Sequence, residues 1–194
     1  MTTKFAQAFD YMIQYEGTEF IDNPADKGGA TKFGINEKFI SNLKLSQLLP
    51  STKNSWLTCF QLFSEVPVSI TEYIQDLTMD EAKMIYQKYF WFPVYEQIKN
   101  RDACDYIFDM TVNHGAHDAA IICQRASRAI MRNNLKEDGI FGEITLEAIN
   151  IYISDYFGAV MCERAGFMRC IVARDPSQKQ FLEGWLKRAY GEKL

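Results

Sequence analysis

The chain has two histidines in 194 residues, and its five cysteines include no CxxC pair. With so few soft ligands at no clustered spacing, a zinc site is not expected, and nothing in the sequence calls for a cofactor. Long basic runs are missing: 21 lysines and arginines stand against 25 acids, for a net charge of −4. The electrostatic footprint of a nucleic-acid binder is therefore absent. No apolar stretch approaches the roughly 18 residues a membrane span needs, so no membrane insertion is expected. The opening residues, MTTKFAQAFDYMI, lack a charged start followed by an apolar run, which reads as synthesis in the cytoplasm without a secretory signal. Cys59, Cys104, Cys123, Cys162 and Cys170 are accordingly expected to be reduced core residues. Few segments alternate as strands do.

What is present is helical. The 47% hydrophobic content suits one compact domain, or a domain with a small appended lobe. Phe5, Phe9, Met12 and Ile13 recur at helical spacing and predict a helix over 4–16, ended at Gly17. Residues 17–36, rich in Gly and Asp, read as loop or short hairpin. Ser69 with Glu72, and Thr78 with Glu81, are capping-box pairs that open two helices, and Pro93 is expected to end the second. A strongly apolar helix over 102–113 ends at His114-Gly115, and helices at 117–131, 143–154 and 156–173 follow. Asp138-Gly139 marks a turn, and Ser177 with Gln180 are expected to cap a last helix that carries Phe181, Trp185 and Ala189. The expected class is all-α, with a small hairpin near 18–35.

Glu16 falls on the same helix face as Phe5, Phe9 and Met12. A carboxylate on an apolar stripe is costly unless paired or protonated. Desolvation favours the neutral acid, the form a general acid must have. The plainer reading is a helix-end carboxylate that turns outward. Downstream, DKGGATKFG offers Asp26, a Gly-Gly pair, Thr31 and Gly34. Glycines allow the backbone to approach a ligand closely. Asp26 and Thr31 can hold a water against a sugar ring opposite an acid, the arrangement glycoside hydrolysis requires. Asp26 beside glycine is equally a common turn residue.

Glu16-Gly17, Asp26, Gly28-Gly29, Thr31 and Gly34-Ile35 together resemble the phage-endolysin-like N-acetylmuramidases of glycoside hydrolase family 108. DLTMDEAKMIYQKYFW resembles the helix that follows in that family. FDMTVNHG (108–115), Gln124, DGIFGEIT (138–145) and FLEGWLKRAY (181–190) resemble its C-terminal peptidoglycan-binding-type region. The resemblance covers most of the chain outside 37–70, and it implies a lysozyme-like fold. It implies a catalytic muramidase region at 1–100 and a helical peptidoglycan-binding-type region at 101–194, packed as one unit. It also implies cleavage of the β-1,4 bond between N-acetylmuramic acid and N-acetylglucosamine. Glu16 would be the general acid, Asp26 the group that positions water or stabilises positive charge, and Thr31 a helper hydroxyl. Thr18 stands where the family has a second glycine. The segment 37–70, with Trp56, Phe60 and Phe63, reads as an insertion.

Gly29, Gly34, Trp91 and Asn113 are the expected substrate contacts, although Trp91 also reads as a core aromatic. Asn113 with Asp109, four apart on one helix face, also reads as a buried polar network. A lytic transglycosylase, or an inactive cell-wall-binding protein, would share much of this sequence. The expected partner is bacterial peptidoglycan, reached through a holin, a secretion system or lysis. An immunity protein would leave no mark in this sequence.

Overall fold

The computed structural model describes residues 3–22, 28–43, 69–131, 135–151 and 153–191. Asp26, Cys59 and the insertion aromatics Trp56, Phe60 and Phe63 lie outside them. The described residues form an all-α, lysozyme-like fold with one small hairpin. Among them, no helix is long and apolar enough to cross a membrane. The chain divides into two compact units: residues 1–15 with 85–194, and residues 16–84.

The larger unit begins with helix α1 (Thr3–Glu16), whose Phe5, Ala8, Phe9 and Met12 are buried at the spacing the sequence predicts. Helix α4 (Met79–Tyr89) enters this unit at Ile85. It stops four residues before Pro93, which instead stands at the first position of the short helix α5 (Pro93–Gln97). Proline tolerates that position because its missing N–H would have had no intrahelical partner there. Phe5, Trp91, Tyr95 and Phe108 make an aromatic cluster with ring centroids 5.1–6.1 Å apart.

Helix α6 (Arg101–His114) is the centre of this unit, with every residue from Tyr106 to Thr111 buried. Asn100 caps its start by accepting from Ala103 N at 2.7 Å, and Gly115 at φ 83° ends it. Helix α7 (Ala116–Met131) packs on α6, and α8 (Glu143–Ile151) and α9 (Ile153–Arg174) pack on α7. A 3-10 turn (Pro176–Phe181) leads to α10 (Leu182–Ala189) on α9. Its cap is Asp175, which accepts from Ser177 N at 3.1 Å and Ser177 Oγ at 2.6 Å, so the Ser177–Gln180 pair does not open the last helix. Both residues lie within the 3-10 turn that Asp175 nucleates.

The cysteines split. Cys104 and Cys123 are buried, and burial pushes each thiol up to about 12. Cys162 and Cys170 are exposed, which corrects the expectation that all are core residues. They lie on the outer face of α9, while Arg164, Ala165 and Met168 supply its inner face.

The smaller unit contains the hairpin β1 (Thr31–Lys32) and β2 (Ile35–Asn36), antiparallel with Thr31 opposite Asn36. Asn36 caps α2 (Glu37–Asn42) by accepting from Phe39 N at 2.8 Å. Helix α3 (Ile70–Asp76) opens with the capping box of Ser69 and Glu72, and Thr78 and Glu81 do the same for α4. α3 packs on α2 and β1. Among the described residues of this unit, Ala30, Phe33, Ile35, Ile40, Tyr73, Ile74, Leu77 and Ala82 are the buried apolar ones.

Candidate functional site

Glu16 is the last residue of α1 and the first residue of the smaller unit. It is half-buried, where Met12 one turn earlier is fully buried. Gly17 follows at φ 75°, a left-handed position that releases the chain from the helix without a Cβ penalty.

The loop that follows is organised by backbone. Ile21 and Thr31 exchange hydrogen bonds of 2.9 and 2.8 Å, so Thr31 lies between Ile21 on one side and Asn36 on the other. Its hydroxyl is half-buried and reaches Gly29 O at 3.4 Å. Gly34 forms the hairpin turn with Phe33, at φ 74° and 54°. Two successive positive φ values define the turn type that matches strand twist. Phe33 occupies that strained region with its ring 7% exposed, so burial of the ring offsets the backbone cost.

Gly29 has a different reason for being glycine. At φ 77° its Cα faces the side chain of Glu37. A Cβ there would lie 2.9 Å from Glu37 Cβ and Cδ, and nearer still to Oε2. Glu37 accepts a hydrogen bond from the Thr71 hydroxyl, and its backbone N–H donates to Ala30 O at 3.0 Å. Lys38 N donates to Gly28 O at 3.1 Å. The start of α2 therefore seats the Gly28-Gly29-Ala30 backbone through these two N–H groups, and Thr71 of α3 holds the Glu37 carboxylate. Glu37 was missed in the sequence. Its signal is weak: an acid directly after a helix-capping Asn, a few residues beyond a Gly-Gly pair.

The other expected contacts belong to the larger unit. Trp91 puts its ring into the aromatic cluster and donates from Nε1 to Glu96 Oε1 at 3.0 Å. Asn113 is exposed, and its Oδ1 accepts from Arg164 Nη2 at 3.4 Å. Asp109, one turn before Asn113, is completely buried between two guanidiniums. Arg164 Nη2 lies 2.8 Å from Oδ2, and Arg188 Nη2 lies 2.6 Å from Oδ1. Arg164 stacks over Tyr106 at 5.0 Å, and Arg188 over Tyr15 at 5.2 Å. His114 accepts from Arg164 Nε at 3.2 Å, so it carries its proton on Nδ1. Burial first, then the adjacent guanidinium, push His114 down to about 3. Among the described residues, no group of three or more His, Cys, Asp and Glu side chains is placed to hold a metal ion.

A helix-end glutamate followed by a glycine-shaped loop, in an all-α chain, is the arrangement that the resemblance of the sequence implies. The model of the glycosyl hydrolase 108 family matches residues 9–115, more than half of the chain and the span holding Glu16, Gly29 and Thr31. The protein belongs to that family. A second family model, described as a predicted peptidoglycan domain, matches residues 118–190. A solved structure of SagA from Brucella abortus has the same fold, with a TM-score of 0.64 at 22% identity over 96% of this chain and 89% of that one. A search of the curated proteins gives no match. The two family matches together make the protein a glycoside hydrolase of peptidoglycan.

Proposed function

We propose that the protein is an N-acetylmuramidase, hydrolysing the β-1,4 bond between N-acetylmuramic acid and N-acetylglucosamine. The observation that carries this reading is the position of Glu16, half-buried at the end of an apolar helix face and followed by a left-handed glycine, within the span matched to family 108. Glu16 donates its proton to the glycosidic oxygen as the bond breaks. An oxocarbenium-like sugar develops and is captured by water. Thr31, held between two backbone partners, and Asp26 on the preceding segment position that water or stabilise the cation. Gly29 and Gly34 shape the backbone around the sugar. The protein is made in the cytoplasm and acts on the wall after release or non-classical export, as an endolysin or as a secretion-associated muramidase or effector.

The test is digestion of purified peptidoglycan by the wild type and by Glu16→Gln, followed by borohydride reduction and mass spectrometry of the fragment ends. Reduced muramic ends are expected from the wild type, with a rate loss of about 10²–10⁴-fold or more in the variant. Anhydro-muramic ends would make the enzyme a transglycosylase. Reduced glucosamine ends would move the cut to the other linkage. An active Glu16→Gln protein would remove Glu16 from the mechanism.

A further inference from the structure

The segment matched to the peptidoglycan domain contains a groove of 710 Å³ that the proposed cleavage does not use. Its walls come from the turn before α8, the first turn of α8 and one residue of α7. Three of its polar side chains are already committed. Gln124 donates to Asp138 Oδ1 at 2.8 Å and to Ile140 O at 3.0 Å, and its Oε1 accepts from Gly139 N at 3.1 Å. Thr145 Oγ1 lies 3.4 Å from Gln124 Nε2. Asp138 also accepts from Ile140 N at 3.0 Å. These groups set the shape of the turn and leave little for a ligand.

What remains available is distinctive. Ile140 and Ile144 are 64% and 63% exposed, an unusual pair of branched aliphatics on one groove. Lys136 and Glu143 are exposed charges of opposite sign on the same lining. The aromatic residue of the turn, Phe141, is absent from the lining and sets its ring 6.0 Å from that of Tyr95. Sugar rings are held by exposed aromatic faces and converging hydrogen-bonding groups. Among the described residues, this groove offers neither. It offers a cation, an anion and methyl groups, which complement a short peptide bearing a carboxylate, a side-chain amine and small apolar side chains.

We propose that this groove binds the stem peptide of peptidoglycan, with Lys136 facing a stem carboxylate, Glu143 the amine of the diamino acid, and Ile140 and Ile144 the alanine methyls. The proposal rests on peptidoglycan being the substrate but not on Glu16 being the acid. The glycan would then be cut at one site while the peptide that branches from it is held at another, so that strands with intact stems are preferred.

The full chain, labelled at backbone nitrogen and isoleucine methyls, is titrated by NMR with L-Ala-γ-D-Glu-meso-diaminopimelyl-D-Ala and, separately, with peptide-free wall disaccharide. The tetrapeptide is expected to shift Lys136, Ile140, Glu143 and Ile144, and the disaccharide to leave them in place. Glu143→Lys and Lys136→Glu should each weaken peptide binding by about fivefold or more with an unchanged spectrum elsewhere. No shift in the groove at millimolar tetrapeptide overturns the proposal, as do equal shifts with the disaccharide. Peptide binding by a protein that releases no reduced muramic ends would uphold the groove and sink the muramidase reading. Normal cleavage with no peptide shift would sink the groove alone.

Discussion

The two compact units stabilise their acidic groups in opposite ways. In the larger one, Asp109 has no exposed surface and faces two guanidiniums, which themselves lie over tyrosine rings. In the smaller one, Glu37 is half-buried, accepts from one hydroxyl and sits beneath a glycine. A buried ionic cluster has an all-or-none character, because removing one member strands the others in a low dielectric. A half-solvated carboxylate can lose a partner to water at small cost. The larger unit is thus a scaffold locked by charge, and the loop of the smaller one is shaped by glycine conformations and close backbone contacts. The lock also ties together the two family-matched segments, since Asp109 lies in the first and Arg164 and Arg188 lie in the second.

The strongest way to break this comparison is to remove the charge at its centre. Asp109→Asn keeps the side-chain size but removes the carboxylate that both guanidiniums face, and Arg164 Nη1 already lacks a hydrogen-bond partner among the described residues. Urea denaturation should show a loss of about 3–5 kcal/mol. Glu37→Gln should cost less than about 1 kcal/mol by the same measurement. Equal losses in the two variants would abolish the distinction between the units.

Next in size is Gly29→Ala. The left-handed φ and the overlap with Glu37 together should destabilise the protein by about 2–3 kcal/mol. Combining it with Glu37→Ala removes the overlap with Oε2 and Cδ but leaves the close Cβ contact and the φ strain. The double variant should therefore recover part of the loss, a coupling that a thermal-melt double-mutant cycle reads directly. Additive losses would mean that the Glu37 side chain is not what requires glycine at position 29.

Much of the fold was legible because local rules and packing agree. The periodicity of α1 and the two capping boxes appear where spacing places them. The apolar run of α6 is buried as its composition requires. Pro93 was misjudged because a proline before which a helix stops and a proline that opens the next helix share one preference, and only the intervening residues separate them. Asp175 was overlooked because Ser177 and Gln180 satisfy the same capping pattern two residues on. Glu16, Gly29, Thr31 and Gly34 were named from the sequence as residue types and now have positions, but Glu37 and the partners of Asp109 come from distant segments. Nothing in local spacing announces that Arg164 and Arg188 converge on one carboxylate 55 and 79 residues away.

The smallest expected effect sharpens the comparison through pH. His114 lies in the larger unit and is shifted down to about 3 from its ordinary 6.5. Folded protein keeps the ring neutral, because a second proton would remove the acceptor of Arg164 Nε and place a cation beside a guanidinium. Unfolded chain takes up that proton as pH falls through 6.5, so the unfolded state binds more protons between there and about 3. Stability is then flat above the unfolded value and declines as pH drops below it, by at most about 1.4 kcal/mol per pH unit. Urea midpoints are compared between pH 7 and pH 5 in wild type and variant alike, so that the contribution of Asp105, whose carboxyl is raised by burial, cancels in the difference. His114→Gln, which retains an acceptor for Arg164 but cannot titrate, should flatten the curve over that interval. A wild-type curve already flat would show that the ring gains its proton without opening the cluster. The ionic core would then be as tolerant of added charge as the half-solvated carboxylate of the smaller unit.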